Sequence, residues 1–406
     1  MSASTIPQET TSFIDYEKSN NLDSTDAFEG PEKLLEIWFY PETKPVDSPA
    51  GENKTLRDIA YEDWVSILKL VNCEILSFKK TSQLDAYLLS ESSFFVYDYK
   101  VVLKTCGTTT TLFCLQGLFN LLFRKLEHWK DDLYNPTNNK YTPYKVFYSR
   151  RCFIFPSKQK SIHQKWSDEV KYLDQFFANG RNYLVGRNPS EAGHWNLYIT
   201  DTNKILENKM VNNNPQTQID REDETMEMLM TGLDQTQMKY FHKDISSSTS
   251  TDDGHEMGNE MTRCSKIDKI YTLDNNSTII SDSFAFTPCG YSSNNIIDES
   301  NYFTLHVTPE KGWSYASFES NIPESRLTNN ETNRNVMQRV LDIFRPQEFC
   351  LTLFQNTRDP TTQISKTSLA QSIREGVPGY VKMDHILYDL DDYQLLYVRL
   401  HRITNN

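Results

Sequence analysis

The sequence has little of what marks several common classes of protein. Its seven cysteines are odd in number, widely spaced and without a Cys-x-x-Cys pair, so neither a disulfide framework nor a zinc site is expected. Lys and Arg number 42 against 55 Asp and Glu, which gives a formal charge of −13. This balance argues against nucleic-acid and anionic-membrane partners, which bind clustered cations. The absence of a Gly-x-Ser-x-Gly motif argues against a serine hydrolase.

Long apolar stretches are also missing. No uninterrupted apolar run approaches the roughly 18 residues that suggest a membrane span, and the amino-terminal segment lacks the basic and apolar regions of a signal peptide. Hydrophobic residues make up only 38%, but 22 Phe, 22 Tyr and 6 Trp supply enough apolar surface for a substantial core. These features predict a cytoplasmic protein in a reducing environment.

Polar, aperiodic segments divide the chain. Residues 1–26 are predicted to form a disordered tail, and residues 27–406 are predicted to form one domain. Four polar stretches inside that domain cannot bury enough apolar area to offset the cost of ordering, so they are predicted to be surface loops. These stretches begin near Asp131, Val211, Ser246 and Pro323.

Between the polar stretches lie short runs rich in Phe, Tyr, Val and Ile, which are typical of strands. Three segments, starting near Thr110, Ser167 and Arg334, instead show helical spacing of apolar residues. The run EKLLEIWF after Pro31 could form a helix with one charged face, but its shortness and its Gly, Pro and Tyr-Pro boundaries favour a strand. Clustered strands with helices between them predict an α+β fold.

Five short motifs occur in a distinctive order. They are FEGPEKLLEIWF from Phe28, LSESSFFV from Leu89, LKTCGTT from Leu103, CGYSSN from Cys289, and HVTPE from His306 followed by SYASFESN. Each alone is weak, since SESS most often forms a polar turn. Together they resemble the eukaryotic-type S-adenosylmethionine decarboxylases, which are pyruvoyl-dependent, self-processing proenzymes. The resemblance extends beyond Phe354 and implies a four-layer α/β/β/α sandwich of two antiparallel sheets flanked by helices.

The resemblance implies self-cleavage between Glu91 and Ser92. The Ser92 hydroxyl would attack the preceding carbonyl, and elimination from the resulting ester followed by hydrolysis would leave a pyruvoyl group as the cofactor, with no metal. The products would be a short beta chain, 1–91, and a long alpha chain, 92–406. The resemblance implies that these chains stay associated, and it leaves open whether two such pairs form a dimer.

Several residues match the family's processing and catalytic residues. Ser292 and His306 match the processing pair, and a hairpin turning near residues 298–301 would bring these two positions opposite each other or one place off. Cys106 matches the proton donor of decarboxylation. A lone strand histidine or a single cysteine is more often structural, so these roles depend on the motifs around them. Glu29 and Glu32 match acidic residues of the active site.

Substrate recognition carries over in the same way. Phe28 and Phe286 match the aromatic residues that sandwich the adenine ring, and flat rings suit a flat base. Glu310 matches the residue that holds the ribose hydroxyls, and Glu91 would lie beside the adenine as the free end of the short chain. On pattern alone, both phenylalanines would pass as ordinary core residues.

A diamine site is suggested by carboxylates in apolar surroundings. Glu36 interrupts a run that otherwise appears buried, and a buried carboxylate needs a cation nearby. In the resembling animal-type enzymes the matching residues bind putrescine, an activator. The alternative is that these acids lie on exposed loops. The matching residues are Lys33, Glu36, Lys104, Asp223, Thr225, Glu227, Glu319 and Phe354.

The implied function is decarboxylation of S-adenosylmethionine to S-adenosylmethioninamine through a Schiff base to the pyruvoyl group. The product would supply aminopropyl groups for spermidine and spermine synthesis. The alternative from another class is an inactive regulatory paralogue that activates a true decarboxylase. The joint presence of Ser92, Cys106, Ser292 and His306 favours the active enzyme, since an inactive paralogue would be free to lose them.

Overall fold

A computed structural model describes most of the chain from residue 32 to residue 403. The described ranges are 32–41, 54–90, 92–153, 155–186, 193–213, 222–242, 253–274, 277–359 and 362–403. The predicted tail and three predicted site residues, Phe28, Glu29 and Glu91, lie outside these ranges. What was predicted for them therefore stays a prediction.

The first half of the described chain forms an antiparallel sheet and a small hairpin. Its strands in chain order are β1 Lys33–Trp38, β2 Ile75–Lys80, β3 Asp85–Leu89, β4 Ser92–Val96, β5 Lys100–Thr105, β6 Tyr134–Asn135, β7 Lys140–Tyr141, β8 Lys145–Arg151, β9 Gly180–Val185 and β10 Trp195–Thr200. Eight of them form sheet 1, in the order β2-β3-β4-β5-β1-β8-β10-β9, while β6 and β7 pair with each other. The segment EKLLEIWF therefore contains a strand, as predicted.

The second half forms another eight-stranded antiparallel sheet. Its strands are β11 Glu224–Thr231, β12 Ile279–Ala285, β13 Tyr291–Ile297, β14 Asn301–Thr308, β15 Tyr315–Ser320, β16 Glu348–Asn356, β17 Tyr380–Leu390 and β18 Tyr393–Arg402. They form sheet 2, in the order β12-β13-β14-β15-β11-β16-β18-β17. When strands are numbered within each half and the β6–β7 hairpin is set aside, the two sheets have the same strand order. The topology is thus duplicated, although no repeat is evident in the sequence.

Nine α-helices are present in the described ranges. They are α1 Tyr61–Lys69, α2 Cys114–Lys125, α3 Lys130–Leu133, α4 Trp166–Phe176, α5 Lys204–Asn213, α6 Gln235–Met238, α7 Asp253–Ser265, α8 Asn333–Phe344 and α9 Ser368–Glu375. None of these helices is long and apolar enough to cross a membrane.

The helices cover the outer faces of the two sheets. Residues of α1 and α2, such as Trp64 and Phe119, share one apolar core with Leu35 and Ile37 of β1. A second core joins α8 and α9 to the outer face of sheet 2. The inner faces of the sheets meet in a layer of polar and charged side chains, with a small apolar cluster that includes Leu34 and Phe95. The predicted four-layer α+β sandwich is confirmed.

Two of the four predicted surface loops are wrong. The stretch from Ser246 lies outside the described ranges up to residue 252, and from Asp253 it forms α7. Gly258 allows this helix to pack closely, since a Cβ at this position would lie 2.7 Å from the Phe284 backbone nitrogen. The stretch from Asp131 contains α3 and the β6–β7 hairpin, and Tyr141 stacks on Phe119 with ring centroids 3.8 Å apart. Apolar anchors within polar sequence organise both segments.

The other two polar stretches have mixed outcomes. Residues 204–213 are helical, and residues 214–220 lie outside the described ranges. The stretch from Pro323 consists of a short 3-10 helix and a turn until α8 begins at Asn333. It therefore agrees with the predicted loop over most of its length.

Candidate active site and acid-rich cluster

Ser92 and Cys106 meet at the end of the β4–β5 hairpin. Ser92 is the first residue of β4 and is buried, while Cys106 follows the last residue of β5. The Cys106 backbone N–H donates a hydrogen bond to Ser92 Oγ at 3.3 Å, and the hydroxyl lies 3.9 Å from the Cys106 thiol sulfur. The structure thus brings the predicted self-cleaving serine and the predicted proton donor together.

His306 and Ser292 lie directly opposite each other on β14 and β13, as the hairpin count predicted. His306 Nδ1 is 2.9 Å from Ser292 Oγ. Burial, with a smaller contribution from the positive charge of Lys104, lowers the pKa of His306 to about 3. The imidazole is therefore neutral near pH 7, and one of its ring nitrogens can accept a proton.

Ser93 is a member of this site that was not predicted. Its hydroxyl is 3.1 Å from His306 Nε2, 2.7 Å from Asn294 Oδ1 and 3.0 Å from Thr304 Oγ1. Among the described residues, the hydrogen bonds of His306 reach Ser93, Ser292 and Thr304, and none reaches Ser92. Strand alternation explains this, because neighbouring residues of β4 point to opposite faces of sheet 1.

The predicted substrate residues are only partly described. Phe286 follows β12 and packs against Phe284, with ring centroids 5.1 Å apart. Glu310 lies two residues beyond the end of β14, the strand that carries His306. Its Oε2 atom is buried and has no hydrogen-bond partner in the described ranges. A buried carboxylate oxygen without a donor suits a ligand that brings hydroxyl groups.

Lys104 is the centre of a charged cluster between the two sheets. Its buried ammonium lies 2.7 Å from Glu319 Oε2, 2.9 Å from Glu227 Oε1 and 3.1 Å from Glu32 Oε2. The 3.1 Å contact is an ion pair without hydrogen-bond geometry, and Glu32 instead accepts a hydrogen bond from Ser317 at 2.8 Å. Although burial opposes it, these three carboxylates raise the pKa of Lys104 well above its ordinary value.

The cluster continues along β1 to Glu36 and includes Asp223, which directly precedes β11. Lys100 Nζ lies 3.6 Å from Glu36 Oε1 and 4.0 Å above the Trp38 ring. Asp223 accepts a hydrogen bond of 2.7 Å from the Tyr393 hydroxyl. Lys100 and Tyr393 were not among the predicted residues, yet both contact the acids directly.

We call this group of side chains the acid-rich cluster. Burial raises the pKa of Glu32 and of Glu36 to about 7, although Lys104 and Lys100 respectively oppose the shift. The acids of this group outnumber its lysines. The members of the cluster are Glu32, Glu36, Asp223, Glu227 and Glu319, with Lys100 and Lys104 as cations.

The two remaining predicted diamine residues border the cluster. Thr225 lies two residues before Glu227 on β11, so both point to the inner face of sheet 2. Phe354 pairs with Thr225 across the sheet and stacks on Tyr393, with ring centroids 4.6 Å apart. These side chains form an apolar and hydroxyl-bearing wall beside the carboxylates.

The predicted place of Lys33 in the cluster is wrong. Lys33 and Glu36 are three positions apart on β1, and they therefore point to opposite faces of sheet 1. The Lys33 ammonium donates to the Gly107 carbonyl at 2.9 Å, on the helix-covered face. Lys100 is the cation beside Glu36 instead.

The comparisons with known proteins agree with these features. The model of the family described as adenosylmethionine decarboxylase matches residues 25–401. The S-adenosylmethionine decarboxylase proenzyme of Saccharomyces cerevisiae is 50% identical over 96% of this chain and 96% of its own length. The proenzyme of Drosophila melanogaster is 37% identical over 81% of this chain and 83% of its own. Proenzyme 3 of Arabidopsis thaliana is 34% identical over 90% of this chain and 91% of its own.

The chain therefore belongs to the adenosylmethionine decarboxylase family. The resemblance drawn from the five motifs is confirmed, and with it the enzyme class, a decarboxylase of the polyamine pathway that starts as a proenzyme. No finding favours the inactive regulatory paralogue. In the described ranges, no group of three or more His, Cys, Asp and Glu side chains is arranged to hold a metal ion.

Proposed function

We propose that this chain cleaves itself between Glu91 and Ser92, that Ser92 becomes the pyruvoyl group, and that the processed enzyme decarboxylates S-adenosylmethionine. The observation that carries the proposal is the Ser92 hydroxyl, which is buried against both the backbone N–H and the thiol of Cys106. These residues fit a serine-derived cofactor, because the hydroxyl is sequestered from solvent and has a donor beside it. The pyruvoyl ketone, once formed, supplies the electron sink for decarboxylation.

Each neighbouring residue has a chemical task in this proposal. The Cys106 N–H holds the Ser92 oxygen, and the Cys106 thiol is the proton source near the reacting carbon. The neutral imidazole of His306 is the base of processing, and the hydrogen bond with Ser292 fixes its orientation. Ser93, the next residue of β4, contacts His306 Nε2 through its hydroxyl and so links the base to the strand that begins with Ser92.

Substrate binding is proposed at Glu310 and the two phenylalanines. The buried Oε2 of Glu310 would accept hydrogen bonds from the ribose hydroxyls. Phe286 would stack on one side of the adenine and Phe28 on the other, with Glu29 and Glu91 nearby. The support for Phe286 is its position beside the CGYSSN motif, which also carries Ser292.

A second part of the proposal is that putrescine binds in the acid-rich cluster and activates the enzyme. A dication would offset the burial and the repulsion between carboxylates that together raise the pKa of Glu36 and Glu32 to about 7. Lys104 offers a route of coupling, because its charge acts on Glu227 and Glu319 and also lowers the pKa of His306. A bound diamine that changes the electrostatic field around Lys104 would thus also affect His306, the processing base.

Denaturing mass spectrometry of the purified protein tests the cleavage. We expect chains of 91 and 315 residues, with the larger one blocked at its amino terminus. Ser92→Ala should remain uncleaved because no hydroxyl is left to attack. Ser93→Ala is the matched control and should still be cut at the same bond. Parent protein that stays uncut after prolonged incubation with putrescine would overturn the assignment of Ser92. A cut at the neighbouring peptide bond, which would make one chain a residue longer and the other a residue shorter than expected, would also overturn it.

The role of His306 has a separate test. His306→Ala should stall after the ester forms, because elimination lacks its base, and hydroxylamine should then release the two chains. The Ser292→Ala variant should slow the same step less, because it removes only the residue that orients the imidazole. Processing of His306→Ala at the parent rate would show that His306 is not the base.

A further inference from the structure

Lys33 is a buried cation that lies outside the acid-rich cluster. It is the first residue of β1, and its side chain is 0% exposed. The ammonium donates to the Gly107 carbonyl at 2.9 Å and to Gln159 Oε1 at 3.4 Å, and it lies 5.0 Å from the centre of the Phe153 ring. Burying an ammonium group costs free energy, so the buried position of Lys33 indicates a specific role.

The carbonyl that Lys33 contacts belongs to the turn carrying Cys106. Gly107 has φ +58°, in the left-handed region, so the chain reverses directly after the thiol. Thr109 ties the other end of the turn, because its hydroxyl donates to the Cys106 carbonyl at 2.6 Å. Lys33 pairs across the β1–β5 ladder with Thr105, the residue before Cys106. The turn is thus held at adjacent carbonyls, and Lys33 provides the charged contact.

The same ammonium acts on the surroundings of Ser92. Burial raises the pKa of the Cys73 thiol to about 12, while the charge of Lys33 and a hydrogen bond with Ser92 lower it. The charge of Lys33 thus acts on a thiol that also interacts with Ser92.

We propose that Lys33 is a positioning residue for Cys106. By holding the Gly107 carbonyl, it keeps the 106–109 turn in the conformation that points the Cys106 N–H and thiol at Ser92 Oγ. A charge-assisted hydrogen bond is stronger than a neutral one, which suits a contact that must fix a reactive group. The inference rests on the proposed role of Cys106, and it separates Lys33 from the diamine site.

The test compares Lys33→Gln and Lys33→Met with Gln159→Leu in the full-length chain. Hydrogen exchange of the backbone amides in residues 106–109, followed by mass spectrometry, reports the turn without requiring catalysis. We expect exchange to quicken about tenfold in Lys33→Met, and by less in Lys33→Gln, which keeps a neutral donor. Gln159→Leu removes only the longer contact of the same ammonium and should resemble the parent.

Two further measurements separate positioning from a merely structural role. The number of inactivation events per decarboxylation should rise by about tenfold in Lys33→Met, because a misplaced thiol returns the proton poorly. The putrescine concentration for half-maximal activation should stay at the parent value. Lys33→Gln allows both measurements if Lys33→Met does not fold.

The outcomes distinguish a failure of the proposed function from a failure of the proposed role of Lys33. If the parent chain neither cleaves nor decarboxylates, the proposed function fails, whatever the exchange data show. If the parent is active but both Lys33 variants keep the parent exchange rate and the parent inactivation ratio, the positioning role of Lys33 is overturned. A shifted putrescine midpoint with an unchanged inactivation ratio would also overturn it, and would return Lys33 to the diamine site.

Discussion

Two charged clusters lie between the sheets, and they handle their charge differently. In the first, which we call the balanced cluster, Glu348 lies 2.6 Å from Arg151, 2.8 Å from Arg399 and in contact with His401. Although burial opposes it, the hydrogen bond from His401 and the two guanidinium groups hold the pKa of Glu348 well below its ordinary value. This carboxylate is ionised and fully partnered by the protein itself.

The acid-rich cluster is the opposite case. Burial raises the pKa of Glu32 and Glu36 to about 7, and the nearby lysines do not compensate. A fold that can surround one buried carboxylate with cations could have done so for the others. The contrast indicates that the balanced cluster is structural and that the acid-rich cluster is prepared for an external cation.

The largest effect is expected from breaking the balanced cluster. Glu348→Gln would leave the buried guanidinium groups of Arg151 and Arg399 without their carboxylate. We expect the free energy of unfolding to fall by about 3–5 kcal/mol, measured by denaturant titration. Activation of the variant by putrescine should keep the parent midpoint. A loss below about 1 kcal/mol, the range of exposed pairs, would show that this cluster is not structural.

A smaller and more selective effect is expected in the acid-rich cluster. Glu319→Gln or Asp223→Asn removes one negative charge and should raise the putrescine midpoint about tenfold, the equivalent of roughly 1.4 kcal/mol, with a small change in stability. An activity titration measures this. Glu224→Gln is the matched control, because Glu224 is a buried acid next to Asp223 in sequence but contacts Asn333 and Gln355 instead. Equal putrescine midpoints for the parent and the three variants would show that these acids do not form the diamine site.

The smallest effect is a dependence on pH. Because the folded pKa values of Glu32 and Glu36 are raised from 4.5 to about 7, the folded state binds more protons than the unfolded state between these values. The contribution of these groups to stability therefore falls as pH rises through that window. Putrescine prefers the ionised carboxylates, so the increase in Tm that it causes should grow from pH 6 to pH 8.

Thermal unfolding with and without putrescine measures this pH dependence. Glu36→Gln provides the comparison, since it removes one titrating group and should flatten the curve. An increase in Tm that is constant or shrinks over the same range would contradict the assigned protonation of the cluster.

Much of the site could be predicted from local pattern. Counting from the hairpin turn placed Ser292 opposite His306, because antiparallel pairing is fixed once the turn is known. Alternation along β1 would also have separated Lys33 from Glu36, and along β4 it would have separated Ser93 from Ser92. Both separations follow from the strand pattern of the sequence, whereas the match to the family grouped Lys33 with Glu36.

Other features depend on contacts between distant segments. The position of Lys100 beside Glu36 follows from the register of β5 against β1, which no local pattern specifies. Tyr393 reaches Asp223 across 170 residues of sequence. The helix α7 was missed because its glycines and polar residues suggest a loop, and its stability comes from close packing against β12.

The order of strands in sheet 1 determines what the proposed cut would do to the molecule. The bond before Ser92 lies between β3 and β4, while β1 is paired on one side with β5 and on the other with β8. The shorter piece would thus contribute an interior strand to a sheet whose neighbouring strands belong to the longer piece. Its departure would require three ladders, β1–β5, β1–β8 and β3–β4, to separate and the apolar core beneath them to open. Processing would create two new chain ends without creating two separable proteins.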